Sequence, residues 1–293
     1  MSEPTDYTNS QIPTSNYSNF LGNSDPEKRA YQDAMNALEN FKKTNYPKQP
    51  VQISPTSGFG KFKAQYEPLS EVLTITVKCK FEFVSQPSKI ITPEELKKAT
   101  EEKRAPAMID IPDDWDKTVM RDWKENFLTQ TLNWSSRYFF YCQKDWWEHV
   151  KAFVMVKFSE APSEEPGGPD LIVKVHKQIG IPKSRVKHGM MEVNQLDSNR
   201  VLTHEAGHSL GLGDEYIDND DPSTNGQPAA HSRLVNQEFG YPILRGKWKE
   251  NSIMNIGKDV MIEHGVAFLE ALRIVTGMQE WKFTQKKPRI IPK

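Results

Sequence analysis

The chain has little cysteine, no bulk charge and no long apolar run. Its 293 residues include two cysteines, Cys79 and Cys142. That is too few for a disulfide framework, and the C-x-x-C spacing of a thiol redox or zinc-thiolate site is missing. Each lies in an apolar stretch of strand character, where a small buried hydrophobe is the ordinary role; a single bridge between the two stays open. Lys and Arg number 38 against 39 Asp and Glu, a formal net charge of −1. This balance leaves no phosphate-neutralising surface, so nucleic acid is not expected as a partner. No window approaches the roughly 18 consecutive apolar residues of a membrane-spanning helix, so a soluble chain with no membrane partner is expected. The first residues, Met1-Ser-Glu-Pro-Thr-Asp-Tyr7, contain neither a basic nor an apolar region, and no secretory signal is visible. The expectation is synthesis in the cytoplasm, with any export left to a specialised route.

What is present divides the chain. Residues 1–30 are dominated by Ser, Thr, Asn and Pro without apolar period, which predicts a disordered polar leader. Residues 31–60 read as a short amphipathic helix, carried by Tyr31, Ala34, Met35, Leu38 and Phe41, and a connector containing Pro and Gly. Residues 61–285 form the main domain, with a short tail at 286–293. Within it, Leu73, Ile75, Val77, Cys79, Phe81 and Phe83 alternate strictly with polar residues, the pattern of a half-buried strand. An amphipathic helix is predicted over Asp113–Asn133, then strands over Arg137–Cys142, Val150–Phe158 and Leu171–His176. Seven tryptophans, five of them between Trp115 and Trp147, have the spacing of core packing. The fold class is α+β.

The chemistry is concentrated in His204-Glu205-x-x-His208. Residues four apart share one helix face, so both imidazoles can hold one zinc ion with an open position left for water. Glu205 then stands beside the metal, placed to take a proton from zinc-bound water and deliver it to a leaving amine. Chance produces such a motif in a chain of this length on the order of once in a hundred, but the residues that follow are more specific. Gly211 supplies a position where the helix can stop through positive φ, and Asp214, three residues on, can reach back to the metal. The adjacent Glu215 competes for that place and is read as a supporting partner or a surface charge. A remote Glu238 or Glu263 as third ligand is the alternative within the zinc class. His149, His176, His188 and His231 are given ordinary roles, the last in a loop spanning Asp218–Pro242.

His204-Glu205-x-x-His208-x-x-Gly211-x-x-Asp214 resembles the extended motif of the metzincin clan of zinc metallopeptidases, in the variant with aspartate as third ligand. Ser252-Ile253-Met254-Asn255 is similar to the methionine turn of that clan. The resemblance implies a zincin-like fold: a twisted mixed sheet with an active-site helix, N-capped by Asp197 or Ser198 and ending at Gly211, and a C-terminal helix. It also implies zinc held by His204, His208 and Asp214, with Glu205 as catalytic base. Several metzincins place a Tyr two residues beyond the methionine, where this chain has Ile256; Tyr216 and His264 are the candidate catalytic replacements. The Asp214-Glu215-Tyr216 run resembles bacterial metallopeptidases that cleave immunoglobulin A, with a different spacing. More broadly, the order of Tyr66-x-Pro68, alternating strand, Trp-studded helix, zinc motif and Ser-Ile-Met-Asn is similar to metallopeptidases encoded with bacterial contractile injection systems. That likeness implies a peptide or protein substrate, a toxin or effector role, and a leader that loads an injection particle. A catalytically silent, metal-stabilised cargo or structural protein is the alternative from another class.

Overall fold

The computed structural model describes residues 26–43, 49–57, 60–84, 115–135, 138–147, 150–162, 167–177, 184–187, 189–217 and 222–283. The leader proper, His149, His188 and the C-terminal tail from residue 284 lie outside these residues. In chain order the described elements are α1 (Pro26–Lys43), β1 (Val51–Ile53), β2 (Phe62–Glu67), β3 (Val72–Val84), α2 (Lys117–Thr131), β4 (Phe139–Cys142), β5 (Lys151–Glu160), β6 (Leu171–His176), β7 (Arg185–Lys187), β8 (Met190–Asn194), α3 (Asn199–Ser209), α4 (Ser232–Phe239), α5 (Val266–Thr276) and β9 (Trp281–Phe283). The class is mixed α+β, as the sequence predicts.

All nine described strands join one mixed sheet, built around β3. Strand β5 runs parallel along one side of β3, from Val72↔Phe153 to Cys79↔Glu160. The other side is shared end to end. Strand β2 pairs antiparallel with the first part of β3, up to Lys63↔Thr76, and β6 pairs parallel with the rest, from Cys79↔Leu171 to Val84↔His176. A strand of thirteen residues is needed to hold both. Outward from there, β6 is followed by β8 and the edge strand β7, and β5 by β4 and β9.

Burial alternates along β5. Ala152, Val154, Val156 and Phe158 are buried, and Lys151, Phe153, Met155 and Lys157 are exposed, so the sheet is covered on one face. Helix α2 lies against β5 and α3, and α5 against β2 and β9. Trp123, Trp134 and Trp147 of the tryptophan region pack as predicted, whereas Trp146 is exposed. Trp123 stacks on Phe127 with ring centroids 5.6 Å apart, and Phe127 presents its faces and edges to Phe81 and Phe158 at 5.8 and 6.0 Å. Asp116 caps α2 by accepting from the N–H groups of Thr118 and Val119, which satisfies donors that the first turn leaves unpaired.

Two expectations are corrected, on the first helix and on the stretch Asp218–Pro242, and the ordinary reading of the cysteines holds. The first helix begins at Pro26, inside the span read as leader, because Pro is well suited to a first helical turn. It is docked on the body by Leu38 and Phe41 and by the Trp147 indole N–H, which donates to Ala34 O at 3.1 Å. Cys79 and Cys142 are both buried free thiols, and burial pushes the Cys79 thiol far up from its ordinary value. The stretch Asp218–Pro242, read as a loop, contains α4, whose Val235 is fully buried with Ile243 and Val266. Among the described residues no helix is long and apolar enough to cross a membrane.

Phe127 sits at the centre of the aromatic layer between α2 and the sheet with no exposed surface. Replacing it with Ala should cost about 3–5 kcal/mol through lost burial and a residual cavity, measured as a fall in the urea midpoint at unchanged slope.

Candidate metal centre

Helix α3 carries the motif. Ser198 is its N-cap, accepting from the Val201 N–H at 3.4 Å, while Asp197 accepts from the Asn194 N–H at 2.7 Å and holds the turn from β8. From Leu202 to Ser209 every residue is buried, so this helix has no solvated side and is fixed by what it touches. On one side Trp134 donates its indole N–H to Thr203 O at 3.0 Å. At Gly207 an added Cβ would come within 2.6 Å of Met254 Sδ and 2.7 Å of the Trp134 ring. The methionine of Ser252-Ile253-Met254-Asn255 is therefore packed beneath the helix, against the glycine between the two histidines. Gly211 then ends the helix at φ 96°, with its N–H donated to His208 O at 3.0 Å.

This backbone sets both imidazole tautomers. His204 Nδ1 lies 2.8 Å from Ile253 O, and His208 Nδ1 lies 2.8 Å from Leu212 O. A carbonyl oxygen can only accept, so both Nδ1 atoms carry a proton, and in the neutral imidazoles both Nε2 atoms are left as the metal-ligating nitrogens. Those two atoms converge on one oxygen, Asp214 Oδ1, at 3.1 and 3.3 Å. Three such atoms facing one another call for a positive charge between them, either protons carried on Nε2 or a metal ion that replaces those protons. Ligand atoms bonded about 2.0–2.1 Å from a tetrahedral zinc ion are themselves about 3.3 Å apart, and the observed separations fit that spacing. Without a metal ion the protons take that place. Burial alone would lower the His208 imidazole and raise the Asp214 carboxyl, but their mutual attraction outweighs it, pushing His208 up to about 9 and Asp214 far below the usual carboxylate range.

Glu205 lies on the same helix with its ligand atom within 4.8 Å of those of His204 and His208. Its Oε2 is buried without a hydrogen-bond partner, and burial raises its pKa, against the lowering influence of His208 and His204. It lines a cleft of about 380 Å³ together with Arg200, His204, Tyr216, Asn255 and Ile256. The structure therefore brings together His204, Glu205, His208, Asp214 and Tyr216, whose ring lies 5.8 Å from that of His204. It does not bring His264 to them. That residue is fully buried, with Nδ1 accepting from the Met261 N–H and Nε2 turned to Glu215 and Ser252, a position that reaches no substrate. Glu238 is paired with Arg273, and Glu263 with Tyr241 and Lys249, so both remote carboxylates are engaged elsewhere.

Sequence reasoning missed His231. It has no exposed surface and meets the buried Glu215 at 3.2 Å, so Glu215 is not a surface charge. Burial would raise the Glu215 carboxyl, but hydrogen bonds from His231 and His264 hold it down at about 2. Comparison with protein-family models, with curated proteins and with solved structures finds no match, so the functional reading rests on the geometry of the site.

The tight seat of Gly207 gives a direct test. Gly207→Ala adds helix propensity of about 1 kcal/mol but drives a methyl group into Met254 and a tryptophan ring fixed by its hydrogen bond. Overpacking of about 1–3 kcal/mol should win, lowering the thermal midpoint and weakening metal binding, both read by calorimetry.

Proposed function

We propose that the chain is a zinc-dependent metalloendopeptidase of metzincin-like kind, hydrolysing peptide bonds of a protein substrate. The observation that carries this reading is the convergence of two Nε2 atoms, each oriented by an Nδ1–H held on a carbonyl, on the Asp214 carboxylate, beside a buried carboxylate with an unpaired oxygen. His204, His208 and Asp214 would hold the zinc ion. When bound, zinc would polarise the scissile carbonyl and make a water more acidic at neutral pH. Glu205 is the general base: it takes a proton from the attacking water and passes it to the departing amine nitrogen. A purely structural metal site has no use for such a carboxylate in an open cleft, which favours catalysis over a silent cargo protein.

Tyr216 lines the cleft beside His204 and is the donor proposed for the oxygen that gains charge in the transition state. The edge strand β7 leads into the cleft through Ser184 and offers backbone for pairing with an extended peptide. Loading into a contractile injection particle remains a proposal for the residues before Pro26, since the helix that follows is packed on the body.

Glu205→Gln should keep zinc stoichiometry and the unfolding midpoint while lowering peptide hydrolysis by about 10²–10⁴-fold, measured by digestion of a peptide library with and without chelator. Hydrolysis at the wild-type rate in this variant would sink the mechanism. Tyr216→Phe should lower kcat by about 10²-fold with KM nearly unchanged; a change confined to KM would instead assign the hydroxyl to substrate binding.

A further inference from the structure

A second buried cluster of metal-ligating residues lies next to the first. Ligand atoms of Glu215, His231 and His264 lie within 4.8 Å of one another, and all three side chains are fully buried. Residue types alone would make it a second zinc site. The backbone around it decides otherwise. His231 Nδ1 accepts from the Gly213 N–H at 3.2 Å, and His264 Nδ1 accepts from the Met261 N–H at 3.1 Å. An amide N–H can only donate, so both Nδ1 atoms keep their lone pairs and both Nε2 atoms carry the proton. Each Nε2 lies 3.2 Å from Glu215 Oε1. The carboxylate oxygen is thus filled by two N–H donors. A metal at these Nε2 atoms would have to displace both protons while the Nδ1 atoms still faced N–H donors, leaving imidazolates with no proton on either nitrogen.

The same contacts have a clear mechanical role. The His231 ring grips both neighbours of Asp214, Gly213 through its backbone N–H and Glu215 through its carboxylate. Glu215 is further held by its N–H, donated to Met254 O at 2.9 Å, and by its C=O, accepting from the Gly246 N–H at 2.9 Å. At Gly213 an added Cβ would come within 2.7 Å of Ala230 Cβ, so the turn is also seated against the residue preceding His231. We propose that His231, with Glu215 and His264, is a metal-free anchor that positions Asp214 against the paired imidazoles of His204 and His208. This inference rests on the zinc reading of that site. His231 and Glu215 act through Asp214 and are positioning residues.

The test is zinc binding by the full chain, with stoichiometry from equilibrium dialysis and affinity from competition with a chelator. Wild type should bind one zinc ion per chain. His231→Phe, which fills the volume but makes neither hydrogen bond, should keep that stoichiometry and weaken zinc affinity about 10–100-fold. Glu215→Gln, which changes the shape little, should weaken it in the same direction and serves if the first variant fails to fold. In an Asp214→Ala background the His231→Phe loss should vanish, whereas general loosening of the fold would weaken zinc binding in both backgrounds. Unchanged affinity in both single variants overturns the anchor. So does a second zinc ion on wild type that His231→Phe removes, since the cluster would then be a metal site. Absence of zinc from wild type would instead overturn the functional reading, and the anchor with it.

Discussion

Two imidazoles turn their Nε2 atoms onto one carboxylate, and the rest of the local architecture follows from holding them there. In the metal-free chain the imidazoles and the Asp214 carboxylate attract one another through protons on Nε2, and a metal ion binding there would displace those protons. The arrangement is held because the Nδ1–H of each histidine is tied to a carbonyl: Ile253 O from the turn beneath the helix, and Leu212 O from the exit of the helix itself. The methionine turn therefore supplies a backbone acceptor for one ligand as well as a side chain under Gly207. Gly211 ends the helix, and Leu212 N–H returns to Gly207 O at 3.1 Å. That path brings the Leu212 carbonyl back beneath the His208 ring.

The contrast with the neighbouring cluster shows how little residue type says about a histidine. Four buried histidines lie in this part of the molecule, two on carbonyl oxygens and two on amide N–H groups. The first pair keeps Nε2 atoms that could serve as ligands, and the second donates from Nε2 to Glu215. The difference is set by the backbone group that each Nδ1 meets, and it divides the region into a candidate cation site and a proton-filled support. Burial lowers the His231 pKa despite the opposing pull of Glu215, which suits a neutral donor. One carboxylate of the Asp214–Glu215 pair faces each side, so two adjacent acids share a turn without competing for one place.

Much of this was legible in the chain. Strict alternation identified β3, and the offsets of His204, Glu205, His208, Gly211 and Asp214 placed the site, because those signals are local and periodic. The strand at Leu171–His176 was read to the residue. The helix α4 was missed: eight residues give barely two turns of pattern, and the Pro-, Asn- and Gly-rich surroundings dilute it. His231 and His264 were missed as partners of Glu215 for another reason. They lie 16 and 49 residues away in sequence, and nothing local in the chain marks a contact that tertiary packing creates. The leader boundary failed at Pro26 because composition averages over a helix start that one residue defines.

The position of the site within the fold explains why its parts can be so strictly held. Helix α3 lies against α2 on the covered face of the sheet, with Trp134 joining the two by its ring and by its indole N–H. Residues 202–209 are buried, with only the cleft beside His204 and Glu205 left open, and each histidine ring on α3 is tied to a backbone carbonyl. The more open positions are at the rim, where Arg200, Tyr216 and the exposed Ile256 line the cleft. On the proposed reading, ligands on a buried helix with more exposed residues at the mouth separate two requirements. The metal geometry depends on the core, and recognition of a substrate can change at the rim without disturbing it.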